Sequence, residues 1–448
     1  MHDMTKGSIS RHLIRYAIPM ILGNILQLTY NAVDSVIIGK CLGEEALAAV
    51  STSNPVMTIM ILGASGLGIG ASVIMSRFYG AKDLEGFRKE FSTTVLFTTF
   101  LSFVLFLAGM ILSPHILRWI NTPAEAYDMA KQYLRIVFVG FLFTFQFNIL
   151  SHAMRSIGDS KTPVLFLGIS CGINIGMDLL FVALLHLGVA GAGLATVISQ
   201  AISVVLCILW IRKKIPEMRL TRSEYIIDRV LLKETVRSGF LTALQQAAQP
   251  VGKVLIQSVI NAQGVIAIGA FNAVCRVDDF ACIPSQSIGS GIMTCTAQNR
   301  GAGNRERVRA SFKKGLIVAL CYFPIICSAT LLLKRATMKL LTPNESIAMA
   351  EAGITYLSVK AWFFIMPCIN NALQGYFRGL GKMTIVLIST LIQISIRTVL
   401  VYLLVPKIGI TGEAYACFIG WACMAIFEWG YLYFYTEKMC RHNEAVNS

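Results

Sequence analysis

Twelve apolar runs recur along this chain, and each, at about 20 residues, can cross ~30 Å of hydrocarbon as a helix rising ~1.5 Å per residue. They fall at 13–38, 50–76, 91–113, 133–151, 164–185, 190–210, 240–260, 267–297, 315–333, 354–374, 385–405 and 414–435. The pattern predicts an all-α polytopic membrane protein with twelve transmembrane helices, because in lipid each helix satisfies its own backbone polar groups. The spans take up most of the 448 residues, so no room remains for a soluble catalytic domain. Charged residues make up 14% of the chain, against roughly 25% in soluble domains. The net charge of +15 is dispersed over the connections, which argues against nucleic acid as a partner and for the lipid bilayer.

The basic residues also set an orientation. With the N-terminus inside, 27 lysines and arginines lie on inner segments and 7 on outer ones, so the positive-inside rule places both termini in the cytoplasm. The first twelve residues are polar, no cleavable signal peptide is expected, and the first span serves as its own insertion signal. Short connections point to a bacterial cell inner membrane. The twelve cysteines show no CxxC pair and no zinc spacing, and read as small packing residues. The six histidines, His2 among them, form no metal-spaced pair, and no P-loop, HExxH or GxSxG motif occurs. These residues predict no enzyme, no cofactor and no metal centre of the transition-metal kind.

The chain also repeats itself at a shift of about 220 residues. GLGIGASVIMSRFYGAKD at 66–83 lies over SIGSGIMTCTAQNRGAGN at 287–304, and GEEALAAV at 43–50 over GVIAIGAF at 264–271. Thr122-Pro123 matches Thr342-Pro343, Arg155 and Gly158 match Arg378 and Gly381, and LGVAGAGLA at 187–195 matches IGITGEAYA at 408–416. Six helices repeated in one order, and even in number, predict two parallel six-helix bundles with a site between them. The expected domains are a cytoplasmic tail (1–12), an N-terminal lobe (13–210), a basic cytoplasmic linker (211–238), a C-terminal lobe (239–435) and a second cytoplasmic tail (436–448).

Ionisable side chains inside a span are costly and need a reason. On the first span Asn24, Gln27, Asn31 and Asp34 form one narrow polar stripe at 100° per residue, which must face a cavity or another helix. Asn174 and Asp178 share a face of the fifth span, four residues apart, and Thr196, Ser199 and Gln200 share one on the sixth. If these faces converge, two carboxylates, an amide and a hydroxyl meet. Two close carboxylates in a dry site require a proton or a cation between them, and an all-oxygen set suits H⁺ or a hard ion such as Na⁺. A purely structural hydrogen-bond network stands as the other reading. The second half differs: Gln246, Gln249, Lys253 and Gln257 form a stripe on the seventh span, and Asp278, Asp279 and Glu428 are candidate partners for Lys253 and Arg276. Structural ion pairing is favoured there over transport chemistry, and Lys360 and Arg397 either snorkel or join that network. Pro19, inside the first span, removes one backbone bond and permits a bend.

Several stretches are recognisable. YAIPMILGNILQLTYNAVDSVIIG at 16–39, LGEEALAAVS at 42–51, SRFYGAKD at 76–83 and RSIGDSKTP at 155–163 resemble the multidrug and toxic compound extrusion family. AQNRGAGN at 297–304 and QGYFRGLGK at 374–382 look like their repeated counterparts, so that the likeness covers about 12–436. The resemblance implies a monomeric secondary antiporter, two six-helix lobes around a cavity, that exports organic, often cationic, amphipathic drugs in exchange for H⁺ or Na⁺. The pattern of the prokaryotic branch with a first-helix Asp falls on Asp34, Asn174, Asp178 and Thr196 as the coupling-ion site, with Pro19 as the point of helix bending. Another branch carries a Glu on the seventh helix, where this chain has Gln249 with Lys253 one turn on, a departure that argues against a C-lobe sodium site. Gln27, Tyr30, Asn31, Met57 and Gln200 are the expected lining of the substrate cavity. The rival readings are a lipid-linked precursor flippase, for which two extra helices and several cavity arginines would be expected, and a non-transporting receptor or scaffold.

Overall fold

The computed structural model of the chain describes residues 3–342 and 346–447; His2 and Pro343 of the sequence argument lie outside them. The described chain is helical throughout: α1 (Ile9–Leu42), α2 (Glu44–Gly80), α3 (Leu84–Trp119), α4 (Ala124–Ser156), α5 (Lys161–Asp178), α6 (Gly188–Lys214), α7 (Arg229–Asn261), α8 (Val265–Gly301), α9 (Arg305–Leu341), α10 (Ile347–Phe363), α11 (Ile365–Gly379), α12 (Met383–Ile408) and α13 (Thr411–Asn447). Among the described residues nine helices are long and apolar enough to cross a membrane, ten if α10 and α11, bent by 45°, count as one broken span. The break falls at Phe364, and Pro367 just beyond it has no N–H to give to the carbonyl of Phe363. The two remaining expected spans are α7 and α8, whose polar residues Gln245, Gln246, Gln249 and Lys253, and Arg276, Asp278 and Asp279, dilute their apolar character.

The helices sort into two compact units. Unit 1 holds the segment up to Lys6, Arg15–Ala243 and Ala297–Asn304; unit 2 holds Gly7–Ile14, Leu244–Thr296 and the chain from Arg305 onward. Lipid tails are as apolar as leucine, so helices in a bilayer associate through close packing more than through the hydrophobic effect. Glycines supply that closeness. A Cβ on Gly80 would stand 1.9 Å from the carbonyl oxygen of Gln298, and one on Gly301 1.9 Å from that of Arg77. In unit 2 a Cβ on Gly375 would meet the carbonyl of Gly289 at 2.2 Å. Aromatic side chains fill the space between: Phe138, Phe141 and Phe145 of α4 pack in one apolar cluster of unit 1 with residues of α1, α2 and α3, Phe138 and Phe141 edge to face.

The basic linker is held to the start of α3 as part of unit 1. Ser92 Oγ donates to the carbonyl of Ile226 (3.1 Å) and accepts its N–H (2.9 Å), while the N–H of Asp228 reaches Thr93 Oγ1 at 3.0 Å. Arg88 donates to the carbonyls of Pro216 and Glu217 and to Glu224. Beneath these contacts the fully buried Glu90 accepts from Thr94 and, at 2.6 Å, from Thr235 of α7. Arg77 grips Glu234 in a two-pronged pair, at 2.9 and 3.1 Å.

The carboxyl of Glu224 lies below its ordinary range, held there by the Thr221 backbone N–H, then the Thr221 hydroxyl and Arg88. A depressed folded value means that its contribution is complete above the ordinary carboxylate range and is lost as pH falls through the lowered one. Amide exchange at Glu224 and Ile226, corrected for the intrinsic rate, is therefore expected to accelerate between neutral pH and about pH 3. Arg88→Ala should show the faster exchange already at neutral pH; a pH-independent corrected rate would remove Glu224 from the clamp.

Candidate functional site

In unit 1 the polar faces of α1, α5 and α6 converge. Asn174 and Asp178, one turn apart on α5, are both buried, at 1% and 0% exposure. Ser170, a further turn back, donates to the carbonyl of Ser199 at 3.1 Å and ties α5 to α6. The Asn174 amide is oriented by its neighbours: its nitrogen donates to Asp178 Oδ2 at 2.9 Å and to Tyr30 Oη at 3.2 Å, and its oxygen accepts the N–H of Thr196 at 3.1 Å. The Thr196 hydroxyl donates to the carbonyl of Ala192 at 3.1 Å and is hydrogen-bonded to Tyr30. The carboxyl groups of Asp34 and Asp178 contact each other directly. Each keeps one buried oxygen, Oδ1, with no donor among the described residues, and no lysine or arginine there lies within 4.0 Å of either carboxyl. Such a pair can hold a proton or a cation, because two bare carboxylates in contact repel strongly at low dielectric.

Immediately after Asp178 the chain changes helical type. Leu179–Leu184 is a π-helical turn, in which Leu185 N–H bonds the carbonyl of Leu180 and Leu187 N–H that of Phe181. Wider turns of this kind concentrate at functional sites because they re-aim the side chains beside them. Nothing in the composition of LLFVAL announced it. Tyr133 of α4, at 4% exposure and within electrostatic reach of both Asp34 and Asp178, was also absent from the sequence reading.

The remaining expected residues scatter. Tyr30 is half-buried inside the cluster, Gln27 and Asn31 are exposed on the α1 face, and Gln200 is half-buried with Oε1 lacking a donor. Met57 packs against the apolar cluster of unit 1. An apolar groove of about 420 Å³ on the same unit, lined by Phe143, Val197, Ala201 and Val205 among others, contains none of these five. Pro19 lies within α1, which continues through it as one helix.

Unit 2 holds a different arrangement. Lys360, 1% exposed, donates to Asp278 at 2.5 Å, Tyr356 at 3.1 Å and Glu413 at 3.4 Å, and Glu413 also accepts from Arg397 and Tyr356. Lys360 and Arg397 thus join a network rather than snorkel. Lys253 pairs with Asp279 at 3.2 Å, on the surface. The expected pairing of Glu428 with Lys253 or Arg276 is corrected: Glu428 on α13 is buried and accepts from Ser389 of α12 at 2.7 Å, because α12 is the helix packed beside it. Arg276 is exposed and has no carboxylate within 4.0 Å among the described residues. Arg378 is bound by Gln245 at 2.8 Å and by Gln374 at 3.4 Å. Gln249 is half-buried one turn before Lys253.

Comparison with known proteins follows the same plan. A family described as MatE matches twice, over residues 19–180 and 242–403, in keeping with the internal repeat. The probable multidrug resistance protein YpnP of Bacillus subtilis is 29% identical over 394 residues, covering 88% of this chain and 87% of that one. The multidrug export protein MepA of Staphylococcus haemolyticus is 21% identical over 414 residues, covering 92% and 91%. A solved multidrug resistance MATE family transporter of the MOP superfamily, in an outward-facing conformation, superposes with a TM-score of 0.90 at 24% identity, over 97% of this chain and 98% of the other.

Proposed function

Because this chain belongs to the MatE family, we propose that it is a multidrug exporter that drives organic, amphipathic and often cationic molecules out across the cell membrane in exchange for protons. The observation that carries this reading is the contact between the half-buried Asp34 and the buried Asp178, each with one buried oxygen that lacks a donor and with no counter-cation among the described residues. The names of relatives such as MepA, an export protein, support the direction of transport. A proton suits the cluster better than Na⁺. The Asn174 nitrogen donates into the site, its oxygen is taken by Thr196, and the Thr196 hydroxyl is turned to Ala192. Beyond the two carboxyls, neither the amide of Asn174 nor the hydroxyl of Thr196 is turned toward a hard cation that prefers several oxygens.

Coupling needs only that drug and proton stabilise opposite conformations. Protonation of the pair lowers its negative charge, weakens its hold on a bound cation and permits α1 to bend near Pro19, which lacks the N–H that would bond the carbonyl of Arg15. In this reading Tyr30, Asn31, Gln27, Gln200 and Met57 contact the drug. The chain functions as a monomer with both termini in the cytoplasm, its lobes following the repeat, and an impermeant thiol reagent, expected to reach Cys41 in intact cells but a Ser223→Cys linker variant only after the cells are opened, tests that topology.

Efflux of a fluorescent organic cation from proteoliposomes separates the choices. An imposed pH gradient is expected to drive efflux, and an imposed Na⁺ gradient at matched pH to leave it unchanged. Flux that follows Na⁺ alone would replace the proton. Binding without flux under either gradient would move the protein to the receptor class.

A further inference from the structure

We propose that Asp278 is the polar anchor of a second binding site, carried by unit 2, that takes net-neutral zwitterionic amines rather than simple cations. The proposal deepens the export reading by naming a substrate class, and it is tested by binding alone, so that its failure leaves the flux experiment untouched.

The cluster around Lys360 divides into an inner part that is closed and an outer part that is not. Glu413, fully buried, accepts from Arg397 Nε at 3.0 Å, from Arg397 Nη2 and from the Tyr356 hydroxyl. Arg397 therefore closes one oxygen of Glu413, and Tyr356 with Lys360 the other. Outside them, the three hydrogens of the Lys360 ammonium are all engaged, by Asp278 Oδ2 at 2.5 Å, Tyr356 Oη at 3.1 Å and Glu413 Oε2 at 3.4 Å. Asp278 is left with Oδ1 buried and lacking a donor among the described residues. It is also the member nearest the surface, its side chain 20% exposed against 0% for Glu413, 2% for Lys360 and 13% for Arg397. An unsatisfied buried acceptor is unfavourable, and because Lys360 has no hydrogen to spare, a donor from outside the cluster, the N–H of a guest or a water that a guest displaces, is what completes it.

Charge selects the donor. The cluster carries two carboxylates and two cations, and the neighbouring exposed pair of Lys253 with Asp279 is also balanced. A bare cation added here would bring an uncompensated charge into a region of low dielectric. A protonated amine that carries its own carboxylate brings the N–H without net charge. Lys253, 57% exposed and held by a surface pair of little strength, is available to that carboxylate. Unit 1 differs: the Asp34 and Asp178 carboxyls have no lysine or arginine beside them, which favours a positive guest.

The test uses the purified full-length protein in detergent and three fluorescent probes of one shape: Nε-dansyl-lysine, a zwitterion at its α-carbon; its methyl ester, a cation; and its Nα-acetyl derivative, an anion. The wild type is expected to bind the zwitterion about tenfold tighter than either relative, the effect of ~1.4 kcal/mol. Asp278→Asn leaves surplus positive charge and should shift preference to the acetyl derivative. Lys360→Met leaves surplus negative charge and should shift it to the methyl ester. The double variant, neutral again but without its anchor, should bind all three weakly and alike. A merely structural role would weaken the three probes together without changing their order. A wild type that binds the ester as tightly as the zwitterion, or single variants in which the order does not move, overturns the proposal, and either single variant suffices if the other fails to fold.

Discussion

Asp34→Asn is expected to abolish proton-driven efflux while leaving the protein folded and able to bind its drug. The substitution keeps the shape of the side chain and removes the carboxyl that shares a proton or a negative charge with Asp178. An amide at that position still gives Asp178 a hydrogen bond, so the cluster of Tyr30, Asn174 and Thr196 has no reason to come apart. What disappears is the difference between the loaded and unloaded states. Coupling free energies of about 1–3 kcal/mol correspond to roughly 5–150-fold changes in affinity, and driven flux should fall by a comparable factor, to the level of leak. Purified variant protein should keep its thermal midpoint and bind the same fluorescent cation, with that binding now insensitive to pH. Wild-type efflux rates in the variant would remove the pair from the coupling mechanism. A collapse in folding would assign it to structure instead.

The convergence around Asp34 was legible in the sequence because helical geometry is stiff. Residues three or four apart share a face whatever surrounds them, so the sequence alone puts Asn174 beside Asp178 and Thr196 beside Ser199. Which helix stands opposite is another matter, since it depends on packing between elements far apart in the chain. Glu428 shows the limit: its charge suggested Lys253 or Arg276 as partners, and its actual neighbour is the Ser389 hydroxyl of α12. The π-helical turn after Asp178 left no signal, because shifting one hydrogen-bond register changes no residue type. The break between α10 and α11 left one, Pro367, inside a run that otherwise reads as a continuous span.

Glu413 also left a signal. In the aligned repeat LGVAGAGLA over IGITGEAYA, it stands where the first copy has Ala192. A carboxylate that replaces alanine at a position buried in both copies has to bring its partner along, and Arg397 is that partner. The two halves share a backbone plan but place their charges differently, with the carboxyl pair of unit 1 open and the carboxylate of unit 2 closed by cations.

That closure predicts an ordering of stabilities. Glu413→Gln strands Arg397, which is largely buried and then has no carboxylate within 4.0 Å among the described residues, while Lys360 keeps Asp278. Breaking a buried pair from one side costs about 3–5 kcal/mol, because the survivor stays desolvated and unpaired. Arg397→Met should cost less, since Glu413 retains Lys360 and the Tyr356 hydroxyl. Removing both ends with apolar residues of similar volume, Glu413→Leu with Arg397→Met, deletes two desolvation penalties together and should recover most of the loss. Unfolding of the three purified variants in one detergent should therefore rank Glu413→Gln as least stable, Arg397→Met next and the double variant closest to wild type. A double variant no better than Glu413→Gln would mean that the pair is needed for more than mutual neutralisation. The hydrogen bonds that Glu413 accepts from Tyr356 and Lys360 would then be what holds α10 against α13, and Tyr356→Phe alone should reproduce part of the loss.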